Sequence, residues 1–461
     1  MSEIKFGTDG WRAITDKDFN DKNVTRAVKA IAKYVIDNFG TDKKVLIGYD
    51  ARRKADYFAE LCAELLKKYG LKILLTDKVV ATPVLAFSAK ELNACAIMFT
   101  ASHNPPEYLG MKFIPDYAGP ATTEITNEIV SNIDKDLPEN ENGSIELYSF
   151  DEPYITHIEK LIDFEKIEKS GIKVNYDALH SAAGKLFTGI LEKHNIKFEA
   201  ENLEYDENFG GKLPEPAERF LTELKQKCKE TGNIGFSNDG DGDRFALVDE
   251  NGNFTSANEV IAILLKHLYE NKKIFGKLIK TVAGSRMLDI FAEKLNIDVV
   301  ETPVGFKWVG KAMRENKIII GGEESGGLSI DGHIPEKDGI LANLLIIEAT
   351  AYFKKKIAEL REEISYIVGC KFINKRTDLK LQNDDIVNEA MKKLQEAEKI
   401  GKYTILLKNY ADGIKLYLND KRSCILVRKS GTEPLLRIYF ESDAESKIEE
   451  LQSAVDELLK D

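Results

Sequence analysis

One phrase recurs three times along these 461 residues. A short apolar run ends in polar residues and leads into a helix. KVLIGYDARR (44–53), IKVNYDALHSAAG (172–184) and LIKTVAGSRM (278–287) each open such a unit. A second strand, a helix, a third strand and then a polar loop follow each time. Those loops are TASHNP (100–105), SNDGDGDR (237–244) and GGEESGG (321–327). Strand–helix alternation predicts an α/β class, with mixed sheets covered by helices. In open α/β sheets ligands bind beyond the carboxyl ends of strands. Three editions of one unit therefore bring three functional loops to one kind of place.

The chain is too long for one core, so several domains are expected. Polar stretches mark the divisions: 136–150, which reads as a linker, 249–260 and 365–378. They divide the chain into 1–148, 149–250, 251–366 and 367–461. The last part changes pattern. A helix at 384–399 leads to strands around IKLYLND, SCILVRK and LLRIYFES. A closing helix then sets Ile448, Leu451, Val455, Leu458 and Leu459 on one face. That is a smaller α+β domain. A net charge of -12 argues against nucleic acid or an anionic membrane as partner. The start MSEIKFGTDG has no apolar leader run, and no segment approaches the ~20 apolar residues of a membrane span. Cys62, Cys95, Cys228, Cys370 and Cys424 are scattered without a CxxC pair, so neither a disulfide framework nor a zinc site is expected. A reducing cytoplasm is the expected location.

Three carboxylates, Asp239, Asp241 and Asp243, alternate with Gly240 and Gly242. Packed this closely they repel unless a cation neutralises them, and hard oxygen ligands suit Mg²⁺ or Ca²⁺. An EF-hand is the rival, with Glu250 at the twelfth position. Its sixth position needs glycine and holds Arg244, and the flanks read as strands. A solvated acidic turn is the plainer alternative. Arg244 beside the triad suits a site where metal and phosphate oxygens meet. Ser102 lies in a turn stiffened by Asn104 and two prolines. It is a nucleophile only if activated or already carrying the group to be transferred. The same loop also suits a purely structural turn. His103 adjoins it, but sequence neighbours usually point apart, so a triad is not expected. Lys112 suits an acid/base or a phosphate ligand as well as a plain surface lysine. RKSGTEPLLR offers Arg428, Ser430, Gly431, Thr432 and Arg437, donors suited to a dianionic phosphate, without the form of an ATP-binding loop. GGEESGG offers carboxylates to vicinal sugar hydroxyls, or is simply a turn.

FGTDGWR (6–12), TASHNPPEYLGMKF, DGDGDR, GEESGG and RKSGTEPLLR occur in that order. Together they resemble the α-D-phosphohexomutase superfamily, the phosphoglucomutases and phosphomannomutases, over the whole chain. The resemblance implies four domains around one cleft and an isomerase that handles hexose phosphates, as a monomer or weak dimer. It implies that Ser102 is a phosphoserine in the resting enzyme. Mg²⁺ would be held by Asp239, Asp241, Asp243 and that phosphate. Glucose 1,6-bisphosphate would be the intermediate and activator, and Arg12 and Lys112 would serve proton transfer. Glu323 and Ser325 would contact sugar hydroxyls, with Arg244, Thr302, Gly305 and Lys307 completing the substrate site. GEESGG, TPVGFKWVG with Phe306 where mannose-type members often have histidine, and HIPEKDG resemble the phosphoglucomutase form. Leu109 departs from the asparagine most relatives carry. Within the fold a phosphomannomutase, a dual-specific enzyme or a phosphopentomutase is the alternative. A metal-dependent phosphatase and a non-catalytic Ca²⁺-binding protein are rivals of other classes.

Overall fold

A computed structural model of the protein describes residues 4–7, 10–140, 142–430 and 434–460. The three repeated units share one arrangement. Strand Lys44–Tyr49 lies between Lys72–Thr76 and Cys95–Phe99 and is parallel to both. Lys173–Asp177 sits likewise between Lys197–Glu201 and Ile234–Asn238. Lys277–Thr281 sits between Val299–Thr302 and Ile318–Gly322. The opening strand of each unit is thus central in its sheet. Val45, Leu46 and Ile47 are wholly buried, as a strand covered by helices on both faces requires. The third strand of each unit runs into the polar loop. The chain then returns antiparallel as Tyr108–Ile114, Phe245–Val248 or Leu328–Ile330. Each candidate loop therefore caps the carboxyl end of a parallel strand.

Two additions were not expected. The stretch 136–150 is more than a linker: Ser144–Tyr148 pairs parallel with Lys72–Thr76 as an edge strand of the first sheet. It adds backbone hydrogen bonds with little burial, since Leu147 is 67% exposed, and so leaves no apolar alternation to read. Beyond the expected division at 250, Phe254–Thr255 pairs in the second sheet. Helix Ala257–Glu270 then starts on a capping box between Ser256 and Glu259. Among the described residues no helix is long and apolar enough to cross a membrane.

One continuous apolar core reaches into each of the first three domains, and the first also closes a core of its own around Val28, Ile47 and Phe99. The shared core joins Val84, Leu85 and Phe87 to Tyr176, Phe187 and Phe236, and to Leu264, Ile320 and Leu344. Helix Gly339–Phe353, buried on nearly all sides, runs through it against Ala257–Glu270 and strand Phe245–Val248. The last domain is a six-stranded sheet with helices Asp384–Glu396 and Glu445–Lys460. It closes a separate core around Leu394, Ile438, Ile448 and Val455. Three α/β domains and one α+β domain make up the fold, as the repeats predict.

Candidate active site

The serine loop and the aspartate loop meet. Ser102 is 1% exposed, with φ +52, a left-handed conformation unusual outside glycine. Its N–H donates to Thr100 Oγ1 at 2.8 Å, and the Thr100 hydroxyl donates to buried Asp50. Held in this turn, Ser102 Oγ donates to Asp239 Oδ2 at 2.7 Å. Gly240 explains how the loops come so close: a Cβ there would lie 2.6 Å from the Ser102 carbonyl oxygen. Gly242 takes φ +74, which swings the loop back into strand Phe245–Val248.

The three aspartates are fully buried, with ligand oxygens within 4.8 Å of one another. Burial, then repulsion by Asp241 and Asp243, pushes the Asp239 carboxyl well above its ordinary range. Lys112 Nζ donates to Asp241 at 2.8 Å and to Asp243 at 2.9 Å, and Lys337 Nζ reaches Asp243 at 2.9 Å. Thr82 Oγ1 donates to Asp241 at 2.6 Å, and the Arg244 N–H donates to Asp239 at 2.9 Å. Asp243 Oδ1 stays buried with no hydrogen-bond donor among the described residues. Concentrated carboxylate oxygens, mutual repulsion and an orphaned lone pair together fit a hard divalent cation. The EF-hand reading fails here. The flanks are strands, and Glu250 accepts the Ile357 N–H at 2.8 Å, at the start of another helix.

Above this floor opens a cleft of about 600 Å³. Arg12, His103, Arg244, Gly305, Lys307, Glu323, Ser325, Lys337 and Arg428 line it, so all four domains contribute. Arg12 donates to Asn104 Oδ1 at 2.6 Å, beside the serine loop. Lys307 Nζ bridges to Thr123 of the first domain at 3.1 Å. Burial, then the neighbouring Glu324, raises the Glu323 carboxyl to about 7, although Lys337 and Arg244 pull the other way. Glu323 accepts the Gly305 N–H at 3.0 Å, and Glu324 is held by the Thr281 hydroxyl at 2.7 Å. Arg428 pairs with Asp412 at 2.8 Å.

Some expected site residues lie elsewhere. Thr302 is buried, with its hydroxyl donating to the Pro303 carbonyl at 3.0 Å rather than lining the cleft. Arg437 lies opposite Arg428 in the sheet register and also does not line it. The Ser430 N–H donates to the Leu435 carbonyl at 3.0 Å. Gly431 and Thr432 fall outside the described residues. Leu109 is buried in the core of the first domain. His103 corrects the expectation that it turns away: its Nδ1 is 3.3 Å from Ser102 Oγ, because the left-handed turn folds the two side chains together. No nucleophile–base triad results. The serine proton points to Asp239, and burial with Arg244 and Arg12 lowers His103 to about 3, so its ring is neutral. Lys337 and Thr82 were missed as site residues: Lys337 lies in HIPEKDG, which the resemblance singled out without giving the lysine a role, and nothing in sequence links Thr82 to Asp241.

The chain matches four domain families. They are Phosphoglucomutase/phosphomannomutase, alpha/beta/alpha domains I (residues 3–139), II (152–252) and III (256–366), and the C-terminal domain (380–458). It is similar to a protein of Thermococcus kodakarensis named phosphoglucomutase/phosphomannomutase, at 30% identity over 96% of each chain. A probable phosphoglucosamine mutase of Methanosphaera stadtmanae is 29% identical over 98% of each. Among solved structures, a putative phosphomannomutase from Thermus thermophilus superposes with a TM-score of 0.85 at 28% identity over the full length of both.

Proposed function

The chain belongs to the phosphoglucomutase/phosphomannomutase family and is an isomerase, an intramolecular phosphotransferase acting on hexose phosphates, and on that premise we propose that it interconverts glucose 1-phosphate and glucose 6-phosphate. The observation that carries the mechanism is the 2.7 Å contact of Ser102 Oγ with Asp239, inside a buried triad of aspartates beneath a four-domain cleft. In this reading Ser102 carries a phosphoryl group at rest. The group passes to the free hydroxyl of the bound hexose phosphate, giving glucose 1,6-bisphosphate. The bisphosphate turns over in the cleft, and its other phosphoryl group returns to Ser102, freeing the isomeric monophosphate. Mg²⁺ bound by Asp239, Asp241 and Asp243 would neutralise charge on the phosphoryl oxygens.

The chain's own groups do the rest. Lys112, within hydrogen-bond reach of Asp241 and Asp243, moves the proton that the hydroxyl gives up and later regains. Arg12 supports the same exchange from beside Asn104. Arg244 offers its cation to the phosphate in flight. Glu323 accepts hydrogen bonds from sugar hydroxyls with Ser325 beside it, and Arg428 and Lys307 hold the phosphate that does not react. Five cysteines without a disulfide suit a reducing cytoplasm.

The sugar assignment rests on GEESGG, Phe306 and HIPEKDG. Relatives named for mannose and glucosamine phosphates make the competing substrates concrete. The test compares kcat/KM on glucose, mannose, glucosamine and pentose phosphates. Preference for glucose supports the reading, and preference for another sugar overturns it. Intact mass should show one added phosphate on Ser102, and steady release of inorganic phosphate would favour a phosphatase instead.

A further inference from the structure

The serine loop is gripped by a residue that the phosphoryl transfer does not use. Arg52 follows the first strand of the first unit, and its side chain is fully buried. Its guanidinium donates four hydrogen bonds, all to backbone carbonyls of one loop. Nη2 reaches Ser102 O at 2.6 Å and Asn104 O at 2.7 Å. Nη1 reaches Pro105 O at 2.8 Å and Tyr108 O at 3.0 Å. Asp50, 3.3 Å from Arg52 Nε, balances the charge. The same carboxylate accepts the hydroxyl of Thr100, which in turn holds the Ser102 N–H. One ion pair therefore fixes both ends of the turn that keeps Ser102 left-handed.

The grip extends across a domain boundary. The Arg52 guanidinium stacks 4.9 Å from the ring centroid of Phe209, in the second domain. Phe209 is 2% exposed and has φ +50, a genuine outlier for a bulky residue. The strain has visible support. Gly210 and Gly211 continue the left-handed path, and Asp206 takes the N–H groups of Asn208 and Gly210 at 2.9 and 3.0 Å. The same segment leads to Pro214, whose carbonyl accepts the N–H of Gly240 in the aspartate loop. The segment that covers the arginine thus also steadies the aspartates facing the serine.

We propose that Arg52 and Phe209 are positioning residues for phosphoryl transfer. Arg52 freezes the serine loop in its attacking geometry, and Phe209 locks the guanidinium in place and ties that geometry to the aspartate loop. Lysine cannot substitute, because one ammonium has three donors and no planar fork for four carbonyls. The inference rests on Ser102 being the phosphoryl carrier, and its consequence is specific. Glu323 and Arg428, in other domains, govern sugar and phosphate binding, so loosening the clamp should slow chemistry without weakening binding.

The test uses the full-length protein with Arg52→Lys and with Phe209→Leu, which keeps an apolar side chain and removes the aromatic face. Hydrogen exchange of the segment 102–108 and steady-state kinetics are measured for both. In Arg52→Lys the amides of 102–108 should exchange at least tenfold faster than in wild type, with those of 234–248 unchanged. Its kcat should fall about 100-fold while KM stays within twofold. Phe209→Leu should loosen 102–108 likewise and, because its segment carries the Pro214 carbonyl, also the amide of Gly240, with a kcat loss of about fivefold. Unchanged exchange in 102–108, or a loss confined to KM, overturns the proposal. Because exchange needs no substrate, it judges the clamp even if the wild type proves not to be a mutase. Absence of phosphate on Ser102 would instead sink the mutase reading alone.

Discussion

The second and fourth domains meet the rest of the molecule in opposite ways. The second shares an apolar core with the first and third: Phe87, Phe187, Phe236 and Leu344 belong to one cluster. The fourth encloses its own core and meets the third through polar groups. At that junction Glu301 accepts from Lys280 and Lys415 at 3.0 Å each, from Tyr417 at 2.6 Å and from Asn409 at 2.9 Å. Glu441 takes the Ser285 hydroxyl and the Arg286 N–H, and Asp412 takes the Val304 N–H at 3.2 Å. Apolar contact is non-directional and tolerates no gap, whereas such polar contacts can be exchanged for water. The serine and aspartate loops, whose 2.7 Å contact must not drift, lie in the welded part. The loop around Arg428, which on the proposed reading admits and releases a phosphate, lies in the detachable one. Changes in the welded part should act on kcat, and changes in the fourth domain on KM or on docking.

The largest effect is expected at the heart of the welded part. Ser102→Ala should abolish turnover, by more than about 10⁴-fold. The fold should survive, because alanine and serine bear the same cost at φ +52. Full activity in this variant would remove Ser102 from the mechanism and the kinetic contrast with it. Next comes the polar junction itself. Glu301→Gln leaves the buried Lys415 ammonium without its carboxylate, which costs roughly 3–5 kcal/mol. Calorimetry should show the fourth domain melting ahead of the other three. One undivided, unshifted transition would mean that this junction is as firmly joined as the apolar one.

That contrast was only half legible in the sequence. The three α/β units were readable because strand–helix alternation is local. So was the clustering of Asp239, Asp241 and Asp243, which needs only adjacent residues. The serine–aspartate contact spans 137 positions, and the resemblance, not periodicity, carried it. Lys337, Thr82 and Arg52 serve the site through contacts made only when distant segments pack. Edge strand Ser144–Tyr148 carries too little buried surface to leave a pattern. Phe209 was invisible for a related reason: its ring reaches Arg52 across a domain boundary, from a left-handed turn that composition does not encode.

Two glutamates with opposite titrations sharpen the comparison by pH. Burial alone would raise Glu301, but Lys280 and Lys415 outweigh it and hold the carboxyl down to about 2. The unfolded chain binds that proton more tightly, so the stability from Glu301 is present above about pH 4.5 and is lost as pH falls towards 2. Glu323 is raised to about 7, so its folded form holds the proton more tightly. Its contribution is present below about pH 4.5 and is lost as pH rises through 7, by about 3 kcal/mol in the ligand-free protein. Glu323→Gln should therefore gain on wild type in chemical denaturation between pH 5 and 8. Parallel curves across that window would mean that Glu323 is already ionised, free of the burial penalty.

The smallest expected effect is the most diagnostic for the fourth domain. Arg428 lines the cleft, and its partner Asp412 also accepts the Val304 N–H of the third domain. If it anchors the phosphate that does not react, ground state and transition state use it alike. Losing one charge-assisted hydrogen bond costs roughly 1.5 kcal/mol, about a tenfold change. Arg428→Ala should raise KM about tenfold and leave kcat within twofold. Freed from its partner, Asp412 keeps the Val304 N–H, so docking of the fourth domain should persist and its melting should not move. A fall in kcat at unchanged KM would place Arg428 among the groups that act on the reacting phosphoryl. The division between a welded chemical half and a detachable binding domain would then fail at the one residue where the two meet.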